Sequence, residues 1–424
     1  MSQNRPVVVL VDAYTSGKYL PPEFAALGAD LVHVQSTPEF MPSMPAPDLS
    51  VYRAALVHDD LEKTLVRLEK FAPVCVLAGQ EPGVLLADRL SEQLGLPTNG
   101  TALSEARRDK HRMGETLRAA GLHCADQLKS RDPDVLVRWA EELGEYPVVV
   151  KPLNSAAGDG VFICASAHEV REAAEGILDS ETIYGDTNTE VLVQSYLQGT
   201  EYVVDMVSYG RRRYVCGVWE YQKRLLPSGR NIYDRERLLG PAEGPAPELI
   251  AYVGQALDAL GVHFGPTHAE VIVTPRGPAL VEVGTRIAGN MHPGFHNVCA
   301  GGNQATLTAL AYLAPGEFVR GYAGRTYDKL REAICCTTST TLSGVVDSVD
   351  QQAVDAISDL ETVTRFDLKI EPGGVLRPTV DLYSSTLRIF MSGTSMDEID
   401  RDCGRIEELK DRVYRLRDTS VGEK

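Results

Sequence analysis

The sequence predicts a multi-lobed protein of the α/β and α+β classes, with a doubly wound lobe at its N-terminal end and an α+β extension at its C-terminal end. At 424 residues the chain is too long for one ordinary hydrophobic core. Strand-like and helix-like segments alternate through about the first hundred residues, as in parallel sheets with helical crossovers. Beyond residue 104, charged helices and consecutive strands joined by short turns replace that alternation.

The N-terminal lobe is predicted from short apolar runs that alternate with helix-like stretches. In chain order we expect a strand at residues 6–12, a helix near 21–28, a strand at 29–35, a helix at 61–71, a strand at 72–79 and a helix at 81–95. The loop GQEPG at residues 79–83 follows a strand, and doubly wound folds bind ligands at such strand ends. A loop that only turns the chain fits this sequence equally well.

The remainder of the chain divides into later elements. In chain order we expect a charged helix at 104–121, a strand at 146–152, strands at 190–199, 200–210 and, after a basic GRRR turn, 214–224, a helix at 248–261, two strands that meet at 274–278 and a charged helix at 396–416. The predicted domains are 1–103, 104–187, 188–318 and 319–424.

The composition excludes several classes of function. Lys and Arg number 42 against 59 Asp and Glu, a net charge of −17, and no basic stripe is visible for a nucleic-acid backbone. No run approaches the roughly 18 apolar residues that span a membrane. The first residues lack a signal-peptide pattern, and the eight cysteines form no C-x-x-C pair. We therefore expect a cytoplasmic protein with reduced thiols and with neither a nucleic-acid nor a membrane partner.

A lysine at the end of an apolar strand precedes a loop of small residues. Lys151 follows VVV, and the loop NSAAGDG occupies residues 154–160. Small residues let backbone amides approach phosphate oxygens, and the ammonium group supplies positive charge. The pattern differs from the Walker motif. It predicts phosphate binding by Lys151 and the loop, including Ser155, Gly158 and Gly160, although a surface lysine beside a flexible loop is the alternative.

Two predicted strands around a Pro/Gly turn carry acidic residues. If Glu270 lies opposite Glu282, the hairpin centres on Arg276 with a three-residue loop, and His268 shares the same face. Opposed carboxylates repel each other unless a cation offsets their charge. Mg²⁺ binds carboxylates together with phosphate oxygens, so this pair predicts a metal–nucleotide site. A solvent-exposed strand pair in a slipped register is the alternative.

Three further charged residues accompany these motifs. Arg286 follows the second strand, where its guanidinium would stabilise charge on a transferred phosphoryl group and on a tetrahedral adduct. Glu201 lies just beyond the strand at 190–199, where an acid in nucleotide hinges holds the ribose hydroxyls. An ordinary strand pair with an exposed Glu201 is the alternative. Taken alone, Lys110 on its charged helix is consistent with a solvated charge.

Polar and aromatic residues near these motifs are candidates for a substrate pocket. His292 and His296 lie in MHPGFHN after Arg286, although packing at a helix entry explains them equally well. Carboxylate-rich surroundings favour a hard cation over zinc, so neither histidine is expected to bind a metal. The other candidates are His268, Trp219, Tyr221, Lys223, Arg224 and Asn290, and a surface or packing role fits the last five equally well.

Taken in order, these motifs resemble those of the ATP-grasp superfamily over most of the chain. The segment VLAGQEPGVLLADRL resembles the family's pre-ATP-grasp domain, and NSAAGDGV its phosphate loop. Lys110 and Lys151 resemble the two nucleotide-contacting lysines, and Glu201 the ribose acid. The resemblance also implies an adenine hinge, two metal-binding glutamates and a catalytic arginine, at Gln194, Tyr196 and Leu197, at Glu270 and Glu282, and at Arg286.

One position departs from the family pattern. After the second glutamate the common pattern is E-x-N-P-R, whereas this chain has Glu282-Val283-Gly284-Thr285-Arg286. The usual Asn ligand is therefore absent at Gly284, and water or a bidentate Glu282 would have to compensate. The same loss, together with GPTHAEV and RIAGNMHP, resembles the bacterial L-amino acid ligases, which form dipeptides or related amides.

The resemblance implies an ADP-forming ligase that uses ATP and Mg²⁺. A small carboxylate would be activated as an acyl-phosphate and joined to an amine, with the loop at 154–160 acting as a lid that excludes water. A homodimer is the default expectation for such enzymes. Two alternatives stay open: an ATP-grasp carboxylase or formyl-type ligase, and a non-catalytic nucleotide-binding protein on the same fold.

Overall fold

The computed structural model describes residues 5–41, 44–155, 158–225, 231–380 and 384–417. The chain forms two compact units: the first contains Met1–Val218, Pro241–Pro293 and Gly302–Tyr327, and the second contains Trp219–Gly240, Gly294–Gly301 and Asp328–Lys424. The four domains expected from the sequence stay a prediction. Within the described ranges, every helix is too short or too polar to cross a membrane.

The described residues fold into strands and helices of both short and moderate length. The strands are β1 Val7–Val11, β2 Asp30–Gln35, β3 Ala54–Val57, β4 Pro73–Ala78, β5 Gln127–Ser130, β6 Val148–Pro152, β7 Phe162–Cys164, β8 Val191–Ser195, β9 Thr200–Tyr209, β10 Arg212–Leu225, β11 Asn231–Leu238, β12 Phe264–Thr274, β13 Gly277–Gly284, β14 Glu332–Thr337, β15 Gly344–Val349, β16 Val363–Leu368, β17 Val375–Leu376, β18 Leu387–Gly393 and β19 Tyr414–Leu416. The helices are α1 Leu20–Ala26, α2 Leu61–Glu69, α3 Val84–Gln93, α4 Lys110–Ala119, α5 Pro133–Leu143, α6 Ala167–Ile177, α7 Ala246–Ala259, α8 Pro293–Ala300, α9 Gln304–Leu313, α10 Pro315–Gly321, α11 Gln351–Ser358 and α12 Met396–Leu409.

The N-terminal lobe is a parallel sheet with the strand order β3-β2-β1-β4. All five residues of β1 are buried, as expected for a parallel strand that is covered on both faces. Leu10 and Phe24 belong to the apolar cluster on one face, and Val9 and Leu68 to the cluster on the other. The predicted doubly wound lobe is therefore confirmed.

An antiparallel sheet with the order β5-β8-β6-β7 follows in the same unit. Helices α5 and α6 pack together, and their residues Leu136 and Val170 share a buried cluster with Val150 of β6. Lys151, the next residue of β6, lies opposite Leu192 of β8. The sheet thus places Lys151 on a central strand that is paired on both sides.

The remaining sheet of the first unit contains β13, β12, β9 and the first half of β10, in that order. Strands β12 and β9 pair without interruption from Phe264 opposite Tyr209 to Val273 opposite Thr200. Helices α7 and α9 contact these strands. Strand β12 is therefore paired on both sides, by β9 and by β13, which fixes the positions of its residues.

The start of α4 is anchored by a buried arginine. Arg107 has a fully buried side chain, pairs with Asp88 at 2.8 Å and donates to the backbone oxygen of Leu260 at 3.0 Å. Asp109 then caps the helix through its side chain, which satisfies a free backbone amide of the first turn. These contacts fix Lys110, the first residue of α4.

The second unit is built on antiparallel strands. Strand β11 pairs with the second half of β10 and with β14, followed by β18 and β16, and a smaller sheet has the order β17-β15-β19. Helices α11 and α12 cover a core that includes Ile334, Ile389 and Ile406. The predicted α+β extension is therefore confirmed.

Candidate active site

The start of α4 and the end of β13 meet in an ion pair. Lys110 Nζ lies 2.7 Å from Glu282 Oε2 and donates to the backbone oxygen of Ser155 at 3.0 Å. Only 8% of the Lys110 side chain is exposed, so its interpretation as a solvated charge is wrong. Burial raises the pKa of Glu282, but the positive charges of Lys110, Lys151 and Arg286 together outweigh burial and leave that pKa below its usual value.

The hairpin of β12 and β13 places Glu270 directly opposite Glu282, as the sequence predicts. The expected three-residue loop is wrong, because Thr274 pairs with Gly277 and only two residues separate them. An irregularity between Glu270 and Val271 shifts the pairing by one residue and brings the two carboxylates into register. The slipped, solvent-exposed alternative is therefore excluded.

A third carboxylate lies on the same face of the sheet. Glu270 is also opposite Val203 of β9, and Glu201 is two residues before Val203 in that strand. Residues two apart in a strand project to the same side, so Glu201, Glu270 and Glu282 share one face. Glu201 is only 6% exposed, which rules out the alternative of a solvent-exposed glutamate.

Lys151 faces this acidic group from the other sheet and is 5% exposed. Burial, and secondarily the positive charge of Lys110, lowers the pKa of Lys151 to about 8. Attraction to Glu282, Glu270 and Glu201 acts in the opposite direction. The surface-lysine alternative is wrong, and two lysines in a buried, acidic setting form a site suited to a polyanion that is accompanied by a divalent cation.

The pKa of Lys151 predicts a pH dependence of ATP binding. Below pH 8 the Lys151 side chain is charged and attracts phosphates. Above pH 8 Lys151 of the free protein is neutral and must take up a proton before it can bind them. The ATP dissociation constant should therefore rise by up to about tenfold per pH unit above that point. Lys151→Arg keeps its charge at all these pH values and should lack the inflection, whereas Lys63→Arg, at an exposed site, should retain it. Calorimetric titration of ATP from pH 6.5 to 9.5 measures this effect, and an inflection that persists in Lys151→Arg would contradict the assignment.

The predicted phosphate loop lies beside Lys110 and Lys151. Ser155 is buried, and its backbone oxygen accepts the Lys110 hydrogen bond. Gly158 and Gly160 have φ angles of 77° and 67°, a region that favours glycine. Residues 156 and 157 lie outside the described residues. The binding roles of Ser155, Gly158 and Gly160, and the action of this loop as a lid, stay predictions.

The predicted adenine hinge lies at the end of β8. Gln194 donates from its side-chain amide to Gln127 Oε1 at 2.9 Å. Tyr196 and Leu197 follow the strand in the connection to β9, and Tyr196 is 42% exposed. Gln194 belongs to β8, the strand paired with that of Lys151, whereas Tyr196 and Leu197 lie between β8 and Glu201. Their contact with adenine stays a prediction.

His268 is held between two carboxylates. Its Nδ1 lies 2.8 Å from Asp205 Oδ1, and its Nε2 lies 3.6 Å from Glu270 Oε1. Burial by itself lowers the pKa of His268, but Asp205 and then Glu270 outweigh it and raise the pKa to about 9. The imidazole is therefore cationic near neutral pH and braces Glu270. Asp205 was not identified from the sequence, although it lies four residues after Glu201 in β9 and so projects to the same face.

Arg286 forms part of an arginine–glutamate–arginine cluster. Glu81 Oε1 lies 2.8 Å from Arg108 Nη1, and Glu81 Oε2 lies 3.2 Å from Arg286 Nε. All three side chains are between 12% and 16% exposed. Burial opposes the charge of each guanidinium, but attraction to several neighbouring groups, Glu81 first among them, together outweighs burial, so the pKa of both arginines is raised. Glu81 and Arg108 were not identified from the sequence.

An aromatic residue closes this cluster. The Arg108 guanidinium carbon lies 5.1 Å from the centre of the Tyr184 ring, a cation–π contact. The surrounding pocket encloses ≈ 340 Å³ of space that opens to solvent, and most of its lining is polar or charged. Lys110, Ser155, Glu282 and Arg286 also line it, so one predicted phosphate lysine, a residue of the predicted phosphate loop, one predicted metal ligand and the predicted catalytic arginine meet in one pocket.

The substrate candidates are distributed over both units. In the first unit, the His292 ring lies edge-on to Tyr19 at 5.4 Å, and the buried Asn290 Oδ1 accepts no hydrogen bond from any described residue. In the second unit, Lys223 is exposed on β10, and Trp219 is 1% exposed and stacks on Phe295. Trp219 is therefore a core side chain rather than an exposed surface aromatic.

The acidic residues suit a hard divalent cation. Glu270 and Glu282 supply carboxylate oxygens, which Mg²⁺ prefers. Across the described ranges, no set of three or more His, Cys, Asp or Glu side chains is arranged to hold a metal by itself. A Mg²⁺ ion held by two carboxylates would complete its coordination with water or with phosphate oxygens.

Comparison with known proteins places these features in a family. Residues 108–232 match the Phosphoribosylglycinamide synthetase, ATP-grasp (A) domain family. Dapdiamide A synthase of Enterobacter agglomerans is 34% identical over 391 residues, which cover 90% of this chain and 90% of that protein.

Solved structures share the fold at lower sequence identity. The L-amino acid ligase from Bacillus licheniformis superposes with a TM-score of 0.75 at 19% identity, covering 98% of this chain and all of its own. The carboxyaminoimidazole ribonucleotide synthase from Aspergillus clavatus, complexed with ATP, superposes with a TM-score of 0.70 at 16% identity, covering 97% of this chain and 99% of its own. The predicted ATP-grasp fold is thus confirmed.

Proposed function

The chain belongs to the ATP-grasp family of ATP-dependent ligases, and we propose that it joins a small carboxylic acid, such as an amino acid, to an amine, such as a second amino acid. The acid would be activated by ATP as an acyl-phosphate, and the amine would displace phosphate to form an amide. A relative named for dapdiamide A synthesis and a structural neighbour named an L-amino acid ligase both support this choice of reaction.

The single observation that carries the proposal is the opposition of Glu270 and Glu282 beside two buried lysines. Two carboxylates that face each other across a strand pair repel unless cations offset their charge, and here Lys110 pairs with Glu282 and His268 with Glu270. Lys110 and Lys151 supply charge for phosphate oxygens beside them. Phosphoryl transfer depends mainly on such positioning and charge stabilisation, so no nucleophilic side chain is required.

Each residue has a role that follows from its position. Lys151 and Lys110 would hold the phosphates, and Glu201 the ribose hydroxyls. Glu270 and Glu282 would hold Mg²⁺, which neutralises charge on the phosphates when it is bound. Arg286 would stabilise the acyl-phosphate and the oxyanion that forms when the amine attacks its carbonyl carbon. The amine loses a proton and the phosphate leaves, which completes the amide bond.

The proposal is tested by measuring ADP release across a matrix of acids and amines with Mg²⁺ and ATP, and by identifying products by mass. We expect release that requires both partners and a product whose mass equals their sum minus water. Release with bicarbonate or formate as the acid would indicate a carboxylase or formyl-type ligase instead. Tight ATP binding without ADP release for any pair would indicate a nucleotide-binding protein.

A further inference from the structure

Gly284 stands where the common family pattern has an asparagine, and the space above it is filled. A Cβ atom at Gly284 would lie 2.8 Å from Glu81 Oε2 and 3.1 Å from the guanidinium carbon of Arg286. The Glu81–Arg286 ion pair therefore passes directly over the Gly284 Cα atom. Any larger residue at this position would have to displace one member of the pair.

Glu81 reaches this position from a preorganised loop. Its backbone amide donates to Gln80 Oε1 at 3.0 Å, and Gln80 Nε2 donates to Ser16 Oγ at 3.0 Å. Gly83 ends the turn, and a Cβ atom there would lie 2.4 Å from a backbone oxygen of β1, so only glycine permits this close approach. The loop thus holds Glu81 against the sheet of the N-terminal lobe.

The cluster has more positive than negative charge. Glu81 is shared between Arg108 and Arg286, and Arg286 Nη1 also donates to the backbone oxygen of Ile287 at 3.2 Å. The contact with the Ile287 carbonyl is a hydrogen bond, whereas the Glu81 contact is an ion pair without hydrogen-bond geometry, so Glu81 restricts the Arg286 guanidinium by charge attraction. The second arginine leaves the cluster net positive, which suits an anionic reaction centre.

We propose that Glu81 is the residue that positions Arg286 for ligation, and that Gly284 is present because an asparagine would expel the Glu81 carboxylate. On this proposal, the chain lacks the asparagine metal ligand at position 284 because the Glu81–Arg286 ion pair occupies the space of its side chain. Compensation by a bidentate Glu282 is not needed to explain Gly284, and Glu282 Oε2 is already paired with Lys110. This proposal rests on the proposed ligase function, because it assigns Arg286 to the reaction centre.

The test is a double-mutant cycle with a substrate pair that the wild-type protein ligates. Glu81→Gln keeps the shape and removes the charge, and Gly284→Ala inserts the colliding carbon atom. Each variant is expected to lower kcat by about 10- to 100-fold, with the KM and dissociation constant for ATP unchanged within about twofold. Because both changes break the same contact, the double variant should be no slower than the slower single variant.

Two matched controls isolate the contact. Glu92→Gln removes another carboxylate of the N-terminal lobe, and Gly254→Ala adds a Cβ atom in α7 where no atom lies within 4 Å. Both should keep the wild-type kcat. Full kcat in Glu81→Gln, or losses that multiply in the double variant, would overturn the proposal. If Gly284→Ala does not fold, the proposal is tested by Glu81→Gln alone, together with Glu81→Asp, which keeps the charge and should recover part of the lost kcat. Failure of the proposed ligase function would be distinguishable from failure of this proposal, since the wild-type protein would then release no ADP with any pair of acid and amine.

Discussion

Glu282→Gln should lose nearly all ATP-dependent ligation, with kcat/KM lowered by more than about 100-fold. The substitution removes the charge that faces Glu270 and would leave Lys110 without its partner at 2.7 Å. It thereby weakens the expected cation site and the lysine that is proposed to contact the phosphates. ADP release with a productive acid and amine, measured at saturating Mg²⁺, reports the effect.

The matched control for this substitution is Glu332→Gln. Glu332 pairs with Lys329 at 2.8 Å, and its side chain is 26% exposed against 20% for Glu282. The control breaks a similar ion pair in the second unit, so it should keep the wild-type kcat/KM. Equal kcat/KM in Glu282→Gln and Glu332→Gln would show that Glu282 has no role in the active site.

Arg286→Ala should lower kcat by about 10²- to 10³-fold, the usual cost of losing one group that stabilises an oxyanion. The dissociation constant for ATP should change by no more than about twofold, because charge on the acyl-phosphate and the tetrahedral adduct develops only during the reaction. Single-turnover ADP formation and equilibrium ATP binding, measured on the same variant, separate these two quantities.

Arg213→Ala provides the control for Arg286→Ala. Arg213 also has a largely buried side chain, 15% exposed, and pairs with Asp258 at 2.8 Å. Its loss should lower the melting temperature without changing kcat. A fall in ATP affinity that equals the fall in kcat/KM for Arg286→Ala would show that Arg286 binds the nucleotide rather than the reacting centre.

The hairpin of β12 and β13 shows which features can be predicted from residue alternation in the sequence. Alternation along β12 and β13 predicts that Glu270 and Glu282 share a face, and the observed register agrees. The predicted loop was nevertheless one residue too long, since the irregularity beside Val271 offsets the shorter turn. Bulges depend on how neighbouring strands pack, and a single sequence does not contain that information.

The arginine–glutamate cluster could not be derived in the same way. Glu81 and Arg286 are far apart in the chain, and their ion pair depends on how the N-terminal lobe is placed beside β13. The sequence did single out the GQEPG loop as a possible ligand-binding strand end, but not the carboxylate within it. Arg108, two residues before Lys110, carried no pattern that separates it from other charges of that helix.

The substrate candidates illustrate a second limit of sequence reasoning. Trp219 was a candidate for the substrate pocket, yet β10 passes from the first unit to the second at this residue, and the indole is buried. Alternation along a strand shows which residues share a face. It does not show whether that face lies in the core of one unit or on the surface of another. Lys223 and His292 have positions in the structure, but their contact with a substrate stays a prediction.

The central claim is that a carboxylate is activated by phosphorylation before the amine attacks, and oxygen transfer tests it most directly. The acid is prepared with ¹⁸O in its carboxylate, and the phosphate released during ligation is examined by mass. We predict that each phosphate carries one ¹⁸O atom and that ADP is the nucleotide product, because the carboxylate oxygen that attacks ATP leaves with phosphate. Unlabelled phosphate, or label in AMP released with pyrophosphate, would contradict the account.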